Sequence, residues 1–362
     1  MKDLYCVILA GGRGERLWPL SSFTRPKQLI PFVNGMSLLE QTVQRVQTLA
    51  RSKNYLFVVT ATDLQEAVKK QVGKSAMLLT EPASRSTAAA VLLSCLEIGE
   101  KNEDAILVVL PSDHFIVDNE KFIALVKAAA SYASCYDQIV LLGVKPTHPA
   151  TGFGYIHYDA TQPVHGFSCF PVIKFHEKPQ KEAAQKYMDQ GDVLWNTGIF
   201  IGRAKVFCDQ CEAVAPELMT ALKTYRNSQT GYEQIPAQSL DYALLEKSLS
   251  TVVFPADFAW HDVGTLPAFI QLKAQYETGE STKIINVGGQ GNIACVEKKI
   301  VAFVGVSNIC VVETEDSIVI ALQENVDSVK DVLHTLELQE KKESKDLKEL
   351  NEDKKQHDQA AL

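Results

Sequence analysis

No apolar run in the 362-residue chain approaches the roughly 20 residues that a membrane-spanning helix needs, so neither a span nor a membrane partner is expected. Positive charge is also short. With 36 lysines and arginines against 44 aspartates and glutamates, and a formal net charge of −8, the chain lacks the broad basic field of a general nucleic-acid binder. Eight cysteines are scattered through it, and the single C-x-x-C, Cys208 and Cys211, has no second Cys or His pair at zinc-site spacing. That pair reads as one face of a packed helix. Lys2 and Asp3 lead straight into a strand with no secretory leader, so the thiols read as reduced and the protein as cytoplasmic. The two commonest phosphate loops are missing as well. A P-loop needs Gly-Lys-Ser/Thr where Gly14, Glu15 and Arg16 stand, and a dinucleotide fingerprint needs a third glycine where Leu17 stands.

What is present is an ordinary globular composition, 46% hydrophobic, in a chain long enough for one large domain and a smaller one. The stretch from Leu4 to Lys27 reads LYCVILAGGRGERLWPLSSFTRPK. Its apolar start has the length and composition of a strand buried on both faces. It then breaks at Leu9 and Ala10 into Gly11, Gly12, Arg13 and Gly14, where backbone N–H groups can converge on an anion, with Arg13, Arg16, Arg25 and Lys27 close by in sequence. Apolar runs recur at Tyr55–Thr60, Met77–Thr80, Ala105–Leu110 and Ile139–Val144, with helix-like segments between them. Such alternation predicts an α/β fold with a Rossmann-like, mixed but mostly parallel sheet covered on both faces, binding ligands at the carboxyl ends of its strands.

Three further motifs fall at strand ends. Glu81-Pro82-Ala83-Ser84-Arg85-Ser86-Thr87-Ala88 opens a helix, and capping by Ser84 or Ser86 would account for its hydroxyls equally well. Pro111-Ser112-Asp113-His114 follows the next strand; Asp113 suits either a turn or a divalent cation, because Mg²⁺ takes one or two carboxylates plus phosphate oxygens. Phe175-His176-Glu177-Lys178-Pro179 ends another strand, where neighbouring side chains can turn to the same side. Farther on stand Gly154, the segment Trp195-Asn196-Thr197-Gly198, and Trp260-His261-Asp262-Val263-Gly264, with Thr265 as a helix start. Asp262 there reads as no more than a loop acid on composition alone.

The pattern Gly-Gly-x-Gly-x-Arg-Leu-x-Pro followed by Arg25-Pro26-Lys27-Gln28 resembles the signature of the sugar nucleotidyltransferases, and Trp18 with Gln28 resembles their mannose-1-phosphate guanylyltransferase branch. The resemblance covers about residues 3 to 338 and implies transfer of GMP from GTP to mannose 1-phosphate, with pyrophosphate released. It implies Arg16, Lys27 and Lys178 as catalytic cations, and Leu9, Ala10, Gly11, Gly12, Gly14, Glu81, Arg85, Thr87 and Ala88 as the nucleotide site. It further implies Gly154, Glu177, Lys178 and Asn196 around the sugar phosphate, and Asp113 with Asp262 holding Mg²⁺, or Mn²⁺ in its place. Ser86 replaces the family's usual Asn, and His261 its more frequent Ser. Retention of the charged set weighs against a non-catalytic homologue, while UTP or dTTP with glucose 1-phosphate is the competing substrate choice.

The expected domains are a GT-A-like catalytic unit over 1–280, a small left-handed β-helix-like unit over 281–338 that supports a homodimer, and a charged, disordered tail over 339–362. The middle expectation comes from five short apolar runs between Ile284 and Leu322 that recur every 8 to 9 residues, together with the family's pattern. Asn325 to Leu338 then reads as a helix. No cupin-like isomerase segment follows, so the family's bifunctional form is not expected.

Overall fold

The computed structural model describes residues 3–339 apart from 165, 249, 280, 281, 298 and 337, so the charged stretch from 340 onward lies outside the described residues. The described residues fall into two compact units, the first from Met1–Gly12 and Met36–Asp262, the second from Arg13–Gly35 and Val263–Leu362. This division cuts across the linear one at 280 suggested by composition.

Strands of the first unit are β1 (Leu4–Leu9), β2 (Leu56–Ala61), β3 (Met77–Glu81), β4 (Ile106–Pro111), β5 (Phe115–Ile116), β6 (Ile139–Val144), β7 (Tyr155–Tyr158), β8 (Phe170–His176), β9 (Val193–Arg203), β10 (Thr251–Ala256) and β11 (Trp260–His261). Nine of them form one sheet in the order β3-β2-β1-β4-β9-β6-β10-β8-β7, and β5 pairs with β11 as a separate ribbon. The run β3-β2-β1-β4 is parallel, as the alternation predicts. The remainder is mixed, as expected: β9 runs antiparallel between β4 and β6, β10 pairs parallel with β6, and β7 and β8 add antiparallel edges. β9 is an 11-residue strand that follows a helix without belonging to the strand-helix-strand rhythm, so that rhythm gave no sign of its direction.

β6 is buried at all six positions and β4 at five, as expected of strands covered on both faces. One face carries the helix Ser86–Gly99, whose positions from Ala88 to Cys95 are all buried in a core with Val7, Val59, Leu107 and Val109. Local chemistry sets where helices begin. Ser37 and Glu40 close a reciprocal capping box at 3.1 and 2.8 Å, and Asp118 accepts from Lys121 N–H at 3.0 Å. The Cys208 and Cys211 pair lies on the helix Ala204–Val214, and all eight cysteines are free thiols.

In the second unit, Phe32 packs on Phe269 at 4.9 Å, and Asn34 N–H donates to the Glu277 carboxylate at 3.0 and 3.2 Å. These contacts join the 13–35 loop to the helix Leu266–Tyr276, which Thr265 caps. Then follow β12 (Lys283–Val287), β13 (Ile293–Cys295), β14 (Ile300–Val304), β15 (Ile309–Glu313) and β16 (Ile318–Leu322). β12 pairs parallel with β14 and β13 with β15, each partner lying 17 residues on, as Asn292 Oδ1 accepting from Ile309 N–H also does. The 8-to-9-residue recurrence is therefore half of a longer repeat. β16 closes it antiparallel to β15, and beyond a 3₁₀ turn at Gln323–Ser328 residues 329–336 are helical. Among the described residues no helix is long and apolar enough to cross a membrane.

Candidate active site

The carboxyl end of β1 is clamped by its neighbours. Ala10 N–H donates to Val59 O at 2.8 Å, Thr60 Oγ1 to Ala10 O at 3.1 Å, and Ser112 N–H to Leu9 O at 3.1 Å. Leu9, Ala10, Gly11 and Gly12 thus end their strand at the sheet's ligand-binding edge, and a Cβ on Gly11 or Gly12 would meet nothing within 4 Å. Gly14, in the second unit, is different. Its φ of 65° and a hypothetical Cβ 2.2 Å from Lys27 Cβ admit only glycine, and Ser21 Oγ pins its carbonyl at 2.8 Å. Lys27 is accordingly buried within the turn Lys27–Leu29, whereas Arg16, on the turn Glu15–Leu17, is exposed.

The Glu81–Ala88 turn is tied down by a segment that sequence reading had left without a role. Tyr232 OH donates to the Glu81 carboxylate, Arg85 Nη2 to Glu233 O, Ala88 N–H to Gln238 O at 3.1 Å, and Leu240 N–H to Thr87 Oγ1 at 2.9 Å. Burial pushes the Glu81 carboxyl up to about 7, with the Tyr232 hydrogen bond pulling the other way. The helix starts at Arg85 with no side-chain cap, so capping does not account for the serines. Ser86 instead holds φ at 64°, a left-handed conformation in which Asn, the family's usual residue there, is enriched.

Asp113 and Asp262 are brought together by the β5–β11 ribbon, which sets Trp260 opposite Ile116 and His261 opposite Phe115. Between the acids stands His114, with Nε2 at 3.5 Å from Asp262 Oδ1 and 4.0 Å from Asp113 Oδ1. Its Nδ1 accepts the Trp260 indole N–H at 3.1 Å, which leaves the ring proton on Nε2, facing both carboxylates. Val263, directly after Asp262, takes φ 54°, a left-handed strain of about 1–3 kcal/mol for a β-branched residue. His261 faces elsewhere, stacked on Phe115 at 6.3 Å, with burial lowering its pKa.

A second cluster gathers Gly154, Glu177, Lys178 and Asn196. Lys178 has φ 43°, which breaks strand alternation after β8 and lets its Nζ meet Glu177 Oε1 at 2.6 Å. A Cβ on Gly154 would sit 2.8 Å from Glu177 Oε2 and 3.3 Å from Asn196 Cβ, so that position must stay bare. Asn196 Nδ2 donates to Asp241 Oδ1 at 2.9 Å, and its Oδ1 accepts Gly198 N–H at 3.1 Å. Asp241 opens a π-helical turn, Asp241–Leu245, a device common at functional sites. Desolvation first, and the Glu177 charge second, push its carboxyl up to about 7, against the pull of Lys178 and Asn196. Burial lowers the Lys178 pKa, but its bond to Glu177 and the charges of Glu177 and Asp241 outweigh this and raise it overall.

The two clusters touch through β9 and an aromatic chain. A Cβ on Gly198 would lie 3.2 Å from Pro111 and 3.8 Å from His114. Phe153, beside Gly154, packs edge-on against Trp195 at 5.0 Å and Trp260 at 5.2 Å. His114, Tyr232, Asp241 and Trp260 thus complete the site without having been singled out from sequence. Only His114 had a local signal, its place directly after Asp113.

The chain matches the family described as Nucleotidyl transferase over residues 5–279. It is 33% identical over 352 residues to the Xanthan biosynthesis protein XanB of Xanthomonas campestris pv. campestris (strain B100), covering 93% of this chain and 74% of that protein. It is 32% identical over 361 residues to Mannose-1-phosphate guanylyltransferase 2 of Escherichia coli O157:H7, again covering 93% and 74%. Among solved structures it resembles one described as mannose-1-phosphate geranyltransferase from Thermus thermophilus, with TM-score 0.80 and 30% identity over 92% of this chain and 99% of that one.

Proposed function

The chain belongs to the nucleotidyl transferase family, and on that premise we propose that it transfers the guanylyl group of GTP to α-D-mannose 1-phosphate, yielding GDP-mannose and pyrophosphate. The observation that carries this reading is the meeting in one unit of an acid pair, Asp113 and Asp262, with a cation-bearing cluster, Glu177, Lys178 and Asn196, through Gly198. An oxygen of the sugar phosphate attacks the α-phosphorus in line, its P–O bond to the β-phosphate breaks, and pyrophosphate leaves with the bonding electrons. No protein nucleophile is needed, since such transfers are catalysed by positioning and charge neutralisation.

Each residue has a role in that scheme. Lys178 neutralises the attacking phosphate while Glu177 and Asn196 hold sugar hydroxyls in a pocket that Gly154 keeps open. In the second unit, Arg16 serves the β- and γ-phosphates and Lys27 the α-phosphate. In the first unit, Gly11 and Gly12 lend N–H groups to the triphosphate, and the Glu81–Ala88 turn receives the base; Gly14 is assigned to the triphosphate by the family resemblance alone. Asp113 and Asp262 offer half-exposed oxygen donors, which suit Mg²⁺ or Mn²⁺ better than a softer metal. Among the described residues no group of three or more His, Cys, Asp and Glu is arranged to hold an ion alone, so substrate phosphates and water would complete its shell. When bound, the ion supplies positive charge to the reacting phosphates.

We assign the chemistry to 1–280 and a supporting role to 281–338, whose 17-residue pairing offset favours a β-helix-like coil, its left hand resting on the family resemblance. Exposed Ile300, Val304, Ile318 and Ile320 favour a homodimer through that unit. Eight free thiols favour the cytoplasm. The test is a matrix of GTP, UTP, dTTP and ATP against mannose 1-phosphate and glucose 1-phosphate, with pyrophosphate release as readout, with and without chelator. Fastest turnover for GTP with mannose 1-phosphate, lost on chelation, is expected; preference for UTP or dTTP with glucose 1-phosphate would replace the substrate assignment.

A further inference from the structure

Two carboxylates facing one another repel, and half-exposure to water removes only part of that cost. Between Asp113 and Asp262 the protein has placed a ring that is itself held fast. The His114 side chain is 12% exposed, its Nδ1 is engaged by the Trp260 indole, the two rings meet edge-on at 5.2 Å and 87°, and the Gly198 turn closes against its Cε1. A ring flip would break the indole bond and turn a carbon toward the acids. Trp260 is held in turn by Phe153, which leans on Trp195.

We propose that His114 is a positioning residue for the acid pair, presenting a single Nε2–H to both carboxylates, with Trp260 fixing the tautomer that makes this possible. The inference rests on the reading of Asp113 and Asp262 as divalent-cation ligands. The contacts of 3.5 and 4.0 Å lie at and beyond the outer limit of hydrogen bonding, so donation to either acid requires that carboxyl to draw toward the ring. A donor so placed takes up the carboxylate oxygen that an ion leaves free, and aims the other oxygen at the ion. Partners of this kind around metal ligands are worth 10–100-fold in metal affinity. His114 therefore acts through the acids and need not touch substrate.

The test measures Mn²⁺ binding to the full chain by calorimetry and by the electron paramagnetic resonance signal of free Mn²⁺, with and without GTP and with no sugar phosphate, so that turnover is absent. His114→Ala should weaken Mn²⁺ binding about 10–100-fold. His114→Asn, whose amide can donate, should recover part of the loss. Trp260→Phe keeps the ring stack but deletes the N–H, and should cost roughly threefold to tenfold, the worth of one ordinary hydrogen bond. Thermal unfolding of each variant is measured alongside, because a merely structural histidine would lower Tm and leave the Mn²⁺ constant where it was. If wild type binds Mn²⁺ and His114→Ala binds it equally well, the positioning role is wrong while the metal reading stands. If wild type binds none, with or without GTP, the metal reading falls and takes this inference with it. Should His114→Ala fail to fold, the Asn and Phe variants decide by the same criteria.

Discussion

The first unit twice brings carboxylates together, and the two places differ in how the charge is tolerated. Asp113 and Asp262 meet with 33% and 36% of their side chains exposed, where water screens them. Glu177 and Asp241 meet in a tighter place, the Glu177 side chain 5% exposed, where the protein supplies its own cation, Lys178, and a carboxyl pushed up to about 7. The half-exposed pair offers carboxylate oxygens that a divalent cation in solution can reach. The Glu177 pair holds the Lys178 ammonium and a titratable carboxyl side by side, an arrangement suited to the hydroxyls and phosphate of a sugar.

The comparison is broken most severely at the half-exposed pair. Asp262→Asn or Asp113→Asn should lower kcat/KM by about 10²–10³-fold or more, on the scale of losing one transition-state charge contact. Circular dichroism and Tm, measured on the same variants, separate a loss of chemistry from a loss of fold. Next comes the Glu177 pair's cation. Lys178→Ala should cost about 10²-fold in turnover, with a raised KM for the sugar phosphate, and should push Asp241 higher still by removing the charge that pulls it down.

Asp241→Asn sharpens the contrast through pH. The folded pKa of about 7 lies above the ordinary carboxyl value of 3.8, so wild type is penalised progressively as pH rises from about 4 to 7 while the neutral variant is not. The variant should therefore be more stable by about 1–2 kcal/mol at pH 8, and the difference should vanish near pH 4, as read by Tm across that range. The smallest effect is at the base turn. Tyr232→Phe removes the donor that holds the Glu81 carboxyl down, and should cost about 1 kcal/mol in stability with a several-fold rise in KM for GTP.

Strand ends and glycine turns were legible in sequence because their chemistry is local. Leu4–Leu9 announces itself by an apolar run that stops at glycine, and Glu177 with Lys178 by a strand that stops at Pro179. The partners that finish the site were not legible. His114 and Trp260 are 146 positions apart, and only the two-residue ribbon of β5 and β11 makes them neighbours. Asp241 sits in a π-helical turn whose sequence, Asp-Tyr-Ala-Leu-Leu, has the look of an ordinary amphipathic helix. Likewise, grouping of 13–35 with the chain beyond 263 depends on Phe32 finding Phe269, which no composition shift reports. The direction of β9 was also beyond local pattern, since a buried strand reads the same either way.

The spacing of 17 between paired strands in the second unit makes changes of length there stepwise. A tandem duplication of 17 residues, or a multiple of it, would return Asn292, Ser307 and the glycines to equivalent corners and add whole rungs, whereas an insertion out of step with that period would put a side chain where a crowded corner such as Gly289 or Gly291 needs glycine. Growth by whole rungs is the one kind of indel that this part of the molecule can absorb without being rebuilt.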